Sequence, residues 1–209
     1  MVRFVVMAAG QATRMGQDKL VMPWGKSTVL GFVLQTVLDA LELQVESCTE
    51  IYVVARHPIE AYASEETIAR FRAYSGTWLQ VPTPKPLAET IRLGLQDLNS
   101  EIEEIGFLPG DQVGVTVLGL TECLLQVLRI RPDFLVPIAG NRTGSPVFFH
   151  RRYVPELLAL RGEQGGREVL KRYPDRWSKY SVEESLFQDV DTPEDYQCLL
   201  EKGKVHAND

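Results

Sequence analysis

Two hydrophobic periods alternate along the chain, and that alternation restricts the fold more than any other feature. VRFVVMAAG (2–10) is a short β-branched run ending in glycine, as a buried strand followed by a tight turn does. STVLGFVLQTVLDALEL (27–43) then places Val29, Val33, Val37 and Leu41 at helical spacing behind Ser27 or Thr28 as N-cap. IYVVA (51–55) and WLQV (78–81) repeat the strand signal. The segment after Pro58 reads as helix through EETIARFRAY, and LAETIRLGLQDL sets Leu87, Ile91, Leu95 and Leu98 on one apolar face. IGFLPGDQ (105–112) adds a fourth strand ending in a loop, with a helix predicted from about Thr116 to Leu128. Strands that alternate with helices form crossover units and a mostly parallel sheet.

The texture changes after Pro132. FLVPIAGNRTGSPVFFH (134–150) reads as two antiparallel strands around a glycine-containing turn. The expected fold is therefore a three-layer α/β domain with a mostly parallel sheet and a β-hairpin insertion. A length of 209 residues suits one sizeable core. The net charge of -6 offers no broad basic field, so neither nucleic acid nor an anionic membrane is an expected partner. Cys48, Cys123 and Cys198 are dispersed, with no histidine at ligand spacing, which speaks against a disulfide framework or a zinc site. No apolar run approaches a bilayer span, and the N-terminus enters a strand directly; a cytoplasmic protein is expected.

Ligands of open parallel sheets gather where loops leave the carboxyl ends of strands. Met7 to Gly16 is such a loop: Gly10 and Gly16 would let backbone N–H groups form an anion nest, with Arg14 and Lys19 adding charge-assisted contacts to phosphate. Gly25-Lys26-Ser27-Thr28 looks like the end of a nucleotide P-loop, but that motif needs glycine where Leu20 stands. The dinucleotide fingerprint fails as well, because Gly10 lacks its partner glycines. GKST is read as a polar turn and helix cap.

What remains is AAGxxxRMGxxK, from Ala8 to Lys19. It resembles the signature of the nucleotidyltransferases, and most closely the molybdenum-cofactor branch that contains CTP:molybdopterin cytidylyltransferase and molybdopterin-guanine dinucleotide synthase. Later segments are similar to that family in the family's order: Leu108-Pro109-Gly110-Asp111-Gln112, Gly144-Ser145-Pro146-Val147, Gly162 to Arg167, and Asp189-Val190-Asp191-Thr192-Pro193-Glu194-Asp195. The resemblance implies a Rossmann-like nucleotidyltransferase domain over residues 1–203, with nucleotide bound by 1–131, the hairpin and acceptor lobe in 132–188, and a frayed tail at 204–209. It implies binding of CTP by Ala8, Ala9, Gly10, Arg14, Gly16 and Lys19. It also gives weaker acceptor roles to Gly144, Ser145, Pro146, Gly165 and Arg167.

Transfer of a nucleotidyl group to a phosphate needs a cation more than an acid or base. Mg²⁺ takes one or two carboxylates plus phosphates and water. Asp111, leaving a central strand, is the first expected ligand, as the resemblance also implies; by itself Pro109-Gly110-Asp111 would read as a turn. Asp189 and Asp191 share one face of an extended segment, and Asp191 is the second expected ligand. Thr192, Pro193 and Asp195 fit N-cap, N1 and N3 of a final helix without any chemistry. For His57, His150 and His206 a surface or packing role is expected.

The family's Gly-Met-Ser segment after the third strand is missing here, where Pro82 to Leu95 reads PTPKPLAETIRLGL. Ser145 replaces a family histidine, and Val113 a common proline. Ala8-Ala9-Gly10 is the start that accompanies cytidylyl rather than guanylyl transfer, and a second Cβ would narrow the space around a base. The expected activity is CMP transfer from CTP to the phosphate of molybdenum cofactor. The alternatives are GTP as donor, a sugar or polyol phosphate as acceptor, or a non-catalytic maturation factor serving a molybdenum hydroxylase.

Overall fold

A computed structural model describes residues 1–10, 18–43 and 49–206, with side chains through Glu201. Arg14 and Gly16 lie outside the described residues. In chain order the elements are β1 (Val2–Ala8), β2 (Pro23–Trp24), β3 (Ser27–Thr28), α1 (Val29–Glu42), β4 (Thr49–Ala55), α2 (Glu65–Ala73), β5 (Thr77–Gln80), α3 (Leu87–Gly94), β6 (Glu104–Pro109), α4 (Val117–Ile130), β7 (Phe134–Ala139), β8 (Arg142–Thr143), β9 (Val147–His150), α5 (Val154–Leu158), α6 (Gly166–Leu170), β10 (Trp177–Ser181) and α7 (Pro193–His206).

The main sheet runs β10-β7-β9-β6-β1-β4-β5, with β8 paired to β7. β1 pairs in parallel with β4 and β6, β4 with β5, and β7 with β10. β9 is antiparallel to both of its neighbours, β6 and β7. Successive residues of β1 serve opposite faces, as the period of a strand requires. Phe4, Val6 and Ala8 enter a core shared with α1, α2 and α4, whereas Val5 enters a second core with α3, α5 and α6. This is the expected three-layer α/β domain, and the hairpin strands are part of its main sheet.

Local signals set the element ends. Thr28 caps α1 by accepting from the Gly31 N–H at 3.0 Å. Gly25, at φ 59, turns β2 into β3, so the GKST segment is the turn and cap its residues predict. The helix predicted directly after Pro58 starts later. A 3₁₀ turn at Ile59–Ala61 comes first, and Ser64 opens α2 by accepting from the Thr67 N–H at 3.3 Å. The helix predicted over LAETIRLGLQDL stops at Gly94, and Asp97 beyond it is left-handed, at φ 49. Among the described residues no helix is long and apolar enough to cross a membrane.

Candidate active site

The carboxyl ends of β1 and β6 lie side by side, with Met7 opposite Pro109. The Gly110 N–H donates to the Met7 carbonyl at 2.9 Å, and a Cβ at Gly110 would stand 3.0 Å from Leu30 and 3.1 Å from the Ala8 methyl. Glycine at 110 thus lets the loop after β6 press against the end of β1. Here opens a cavity of about 880 Å³, lined by Gly10, Lys19, Asp111, Asp191 and, across from them in sequence, Gly144, Ser145, Gly165 and Arg167. The structure therefore brings together most of the residues named from the sequence. Pro146 is not among the lining residues.

Lys19 is the centre of the charge arrangement. Its ammonium ion-pairs with Asp111 and donates to Asp191 Oδ1 at 3.0 Å. Burial works against the charge of this ammonium, but the two carboxylates outweigh it and hold its pKa above the ordinary lysine value. Asp191 arrives by two backbone contacts: Val190 N–H donates to the Asp111 carbonyl at 3.1 Å, and Gly114 N–H donates to the Gln188 carbonyl at 2.9 Å. Directly after it, Thr192 accepts from the Asp195 N–H at 3.1 Å while the Asp195 carboxylate accepts from the Thr192 N–H at 2.9 Å. That reciprocal pair is the capping box predicted for TPED. Tyr196 then donates its hydroxyl proton to the Pro23 carbonyl, which ties the start of α7 to the β2–β3 turn. Lost solvation, then the nearby Asp191 and Asp111 charges, push the pKa of Asp189 up.

Asp18, one residue before Lys19, fastens this end of the glycine loop to the end of β4. Its carboxylate ion-pairs with Arg56, lies 3.1 Å from His57 Nε2 and accepts from the Leu20 N–H at 3.2 Å. His57 accordingly has a positioning contact, which a packing role alone does not describe. Ala8 and Ala9 are both fully buried, one in each core, and the Ala9 carbonyl accepts from the Lys85 N–H at 2.9 Å. Their methyl groups belong to the cores. Among the described residues that line the cavity, neither alanine is included.

A sequence profile described as the MobA-like NTP transferase domain matches residues 4–177. The chain belongs to this family. Among solved structures, Rv0371c from Mycobacterium tuberculosis H37Rv superposes with a TM-score of 0.73 at 23% identity, covering 96% of this chain and 97% of that one. The same protein has also been solved as a complex with manganese. A nucleotidyl transferase from Methanothermobacter thermautotroptrophicus gives 0.69 at 19% identity, with 97% of each chain covered. The 4-diphosphocytidyl-2C-methyl-D-erythritol synthase of Anaerococcus prevotii DSM 20548 gives 0.68 at 16% identity, with 98% of each covered. At such identities these likenesses show the Rossmann-like nucleotidyltransferase fold. No curated protein matches the chain.

Within this MobA-like domain, Gly144 and Gly165 have packing reasons to be glycine. A Cβ at Gly144 would stand 2.0 Å from the Phe187 ring, and one at Gly165 2.7 Å from Leu87. Two residues that line or brace the cavity were not singled out from the sequence. Lys85, between Pro84 and Pro86, lines it and pairs with Glu89 one helical turn on, at 2.9 Å. Gln112 is buried, and its side-chain amide donates to the Ser145 carbonyl at 2.7 Å and the Leu186 carbonyl at 2.8 Å. A lone cation between prolines and the Gln of LPGDQ were the available signals. Among the described residues no three acidic, histidine or cysteine side chains are grouped to hold a metal ion.

Proposed function

We propose that this nucleotidyltransferase is a Mg²⁺-dependent cytidylyltransferase that moves CMP from CTP to the phosphate of molybdenum cofactor. A terminal phosphate oxygen of the acceptor attacks the α-phosphorus, the bond from that phosphorus to the bridging oxygen breaks, and pyrophosphate leaves. The observation that carries the reading is the convergence of Lys19, Asp111 and Asp191 at the end of a glycine loop, on a cavity that Gly144 and Arg167 also line.

Two carboxylates that already share one cationic group fit a metal ion that takes one or two protein carboxylates. Asp111 and Asp191 would hold it, and it would neutralise phosphate charge when bound. The manganese complex of the mycobacterial protein supports a divalent ion. In this reading the backbone at Gly10, with Arg14, Gly16 and Lys19, holds the triphosphate, and Lys19 stabilises charge moving to the leaving group. Gly144, Ser145, Gly165 and Arg167 form the acceptor side in this reading, with Pro146 next to Ser145 but off the lining. One transferase domain over residues 1–203, acting in the cytoplasm, completes the proposal.

The test is pyrophosphate release from each of the four NTPs with Mg²⁺, with and without molybdenum cofactor. Release from CTP only when cofactor is present is expected. Tight CTP binding without turnover on any NTP and acceptor would overturn it and favour a non-catalytic factor that serves a molybdenum hydroxylase. The absence of Gly-Met-Ser, where this chain reads Pro-Thr-Pro-Lys-Pro, motivates that non-catalytic rival, and a second enzymatic reading keeps the same chemistry with GTP or with a sugar or polyol phosphate. Turnover with those and not with the cofactor would select it.

A further inference from the structure

We propose that Lys19 is an exchangeable counter-ion: without nucleotide its ammonium fills the divalent-cation position between Asp111 and Asp191, and it leaves that position for a phosphate when a triphosphate binds. This inference rests on the reading of the cavity as an NTP and metal site.

Its ground is geometric. One ammonium ion-pairs with Asp111 and reaches Asp191 Oδ1 at 3.0 Å, in a place where the side chains of Lys19 and Asp111 are only 15% and 18% exposed. A divalent ion that reaches both carboxylates meets the Lys19 ammonium already between them. A metal ion entering alone must therefore displace an ion pair that is partly shielded from water.

The backbone at Lys19 is held on both sides, and its side chain reaches the carboxylates through a long stem of rotatable bonds. Lys19 opens a 3₁₀ turn, Lys19–Val21, whose carbonyl accepts from the Met22 N–H at 3.2 Å. Asp18 on its other side is held by Arg56, His57 and the Leu20 N–H. The four-carbon stem is the flexible part, and an ammonium is a point charge that needs no fixed fork to bind oxygen. Lys19 can thus pass from carboxylate to phosphate by side-chain rotation alone. Metal and triphosphate then favour each other's binding reciprocally, because each removes a competitor of the other.

Mn²⁺ binding to the nucleotide-free protein, followed by electron paramagnetic resonance, tests the exchange. Lys19→Met binds Mn²⁺ at least about tenfold more tightly than the unaltered protein, the ratio expected for relief of ~1.4 kcal/mol of competition. Lys19→Gln, a second uncharged variant, behaves alike should the first fold poorly. Lys19→Arg keeps the competitor and shows no gain. Lys85→Met removes the same charge from the cavity lining without touching the two aspartates, and also shows no gain. Unchanged Mn²⁺ affinity in the two uncharged Lys19 variants overturns the proposal, as does an equal gain in Lys85→Met, which would report only the general field. Pyrophosphate release from CTP is measured on the unaltered protein, so the two readings fail separately.

Discussion

Val190 donates its backbone N–H to the carbonyl of Asp111 at 3.1 Å, and this contact, with that of Gly114 on Gln188, brings together the two carboxylates that meet on Lys19. The charge cluster is built by main chain. Its side chains therefore can be altered one at a time with the frame left standing, which makes their roles testable.

Asp111→Asn keeps the shape of the side chain and removes its charge. Turnover of CTP falls by about a hundredfold or more, on the scale of losing one preorganised electrostatic contact. CTP binding also ceases to depend on added divalent ion. Steady-state kinetics and calorimetry with and without Mg²⁺ check this, and wild-type rates would remove Asp111 from the site.

Gln112→Ala leaves the Ser145 and Leu186 carbonyls without their donor inside the protein. The loss is about 1–3 kcal/mol of folding stability, read by urea titration. If Ser145 serves the acceptor, as proposed, the KM for the acceptor rises more than the KM for CTP. An equal rise in both would mean that Gln112 braces the whole cavity and not the acceptor wall.

Gly114→Ala introduces a Cβ that would stand 2.0 Å from the Ser185 carbonyl oxygen and 2.9 Å from the Gln188 nitrogen. Backbone meets backbone there, so the segment leading to Asp191 must shift. A destabilisation of about 1–3 kcal/mol is expected, with a fall in turnover at saturating CTP. A melting temperature and rate equal to those of the parent would show that the 185–191 segment is not set by this contact.

Glu104 begins β6 opposite His150 and is 2% exposed. Burial, then the charge of Glu103, push its carboxyl up to about 8, with Arg152, Asp133 and Arg131 also acting on it. Between an ordinary carboxyl value near 4.5 and that folded value, the folded chain keeps a proton that the unfolded chain has lost. Stability therefore declines as pH rises through this window and levels off above it. Glu104→Gln removes the slope and gains about 2–4 kcal/mol at pH 8. Melting curves from pH 5 to 9 check it, and parallel pH profiles for the two proteins would contradict it.

The elements legible from sequence are those with a buried face. β1 and β4 are short apolar runs buried on both faces, and α1 and α4 repeat apolar residues at helical spacing on a buried side. β10 is different: Trp177–Ser181 is an edge strand with part-exposed side chains, so WSKYS carries no apolar alternation to read. The delayed start of α2 was hidden because a proline and an apolar pair can open a 3₁₀ turn as well as a helix. In the site, Lys19 and Asp111 were legible through motif spacing. Lys85 and Gln112 were not, because one is a single cation and the other works through carbonyls that only the fold brings near. Whether Arg14 and Gly16 join them lies outside the described residues.

Lys19 and Asp191 are 172 positions apart, and β1 cannot gain its partner β6 until residues 104–109 exist. During synthesis on a ribosome the glycine loop must wait through most of translation with its acidic partners unmade. Contacts of such long range slow folding. A half-made chain thus carries Lys19 without Asp191, and the cluster of one ammonium and two carboxylates closes only when the 188–191 segment docks on Asp111.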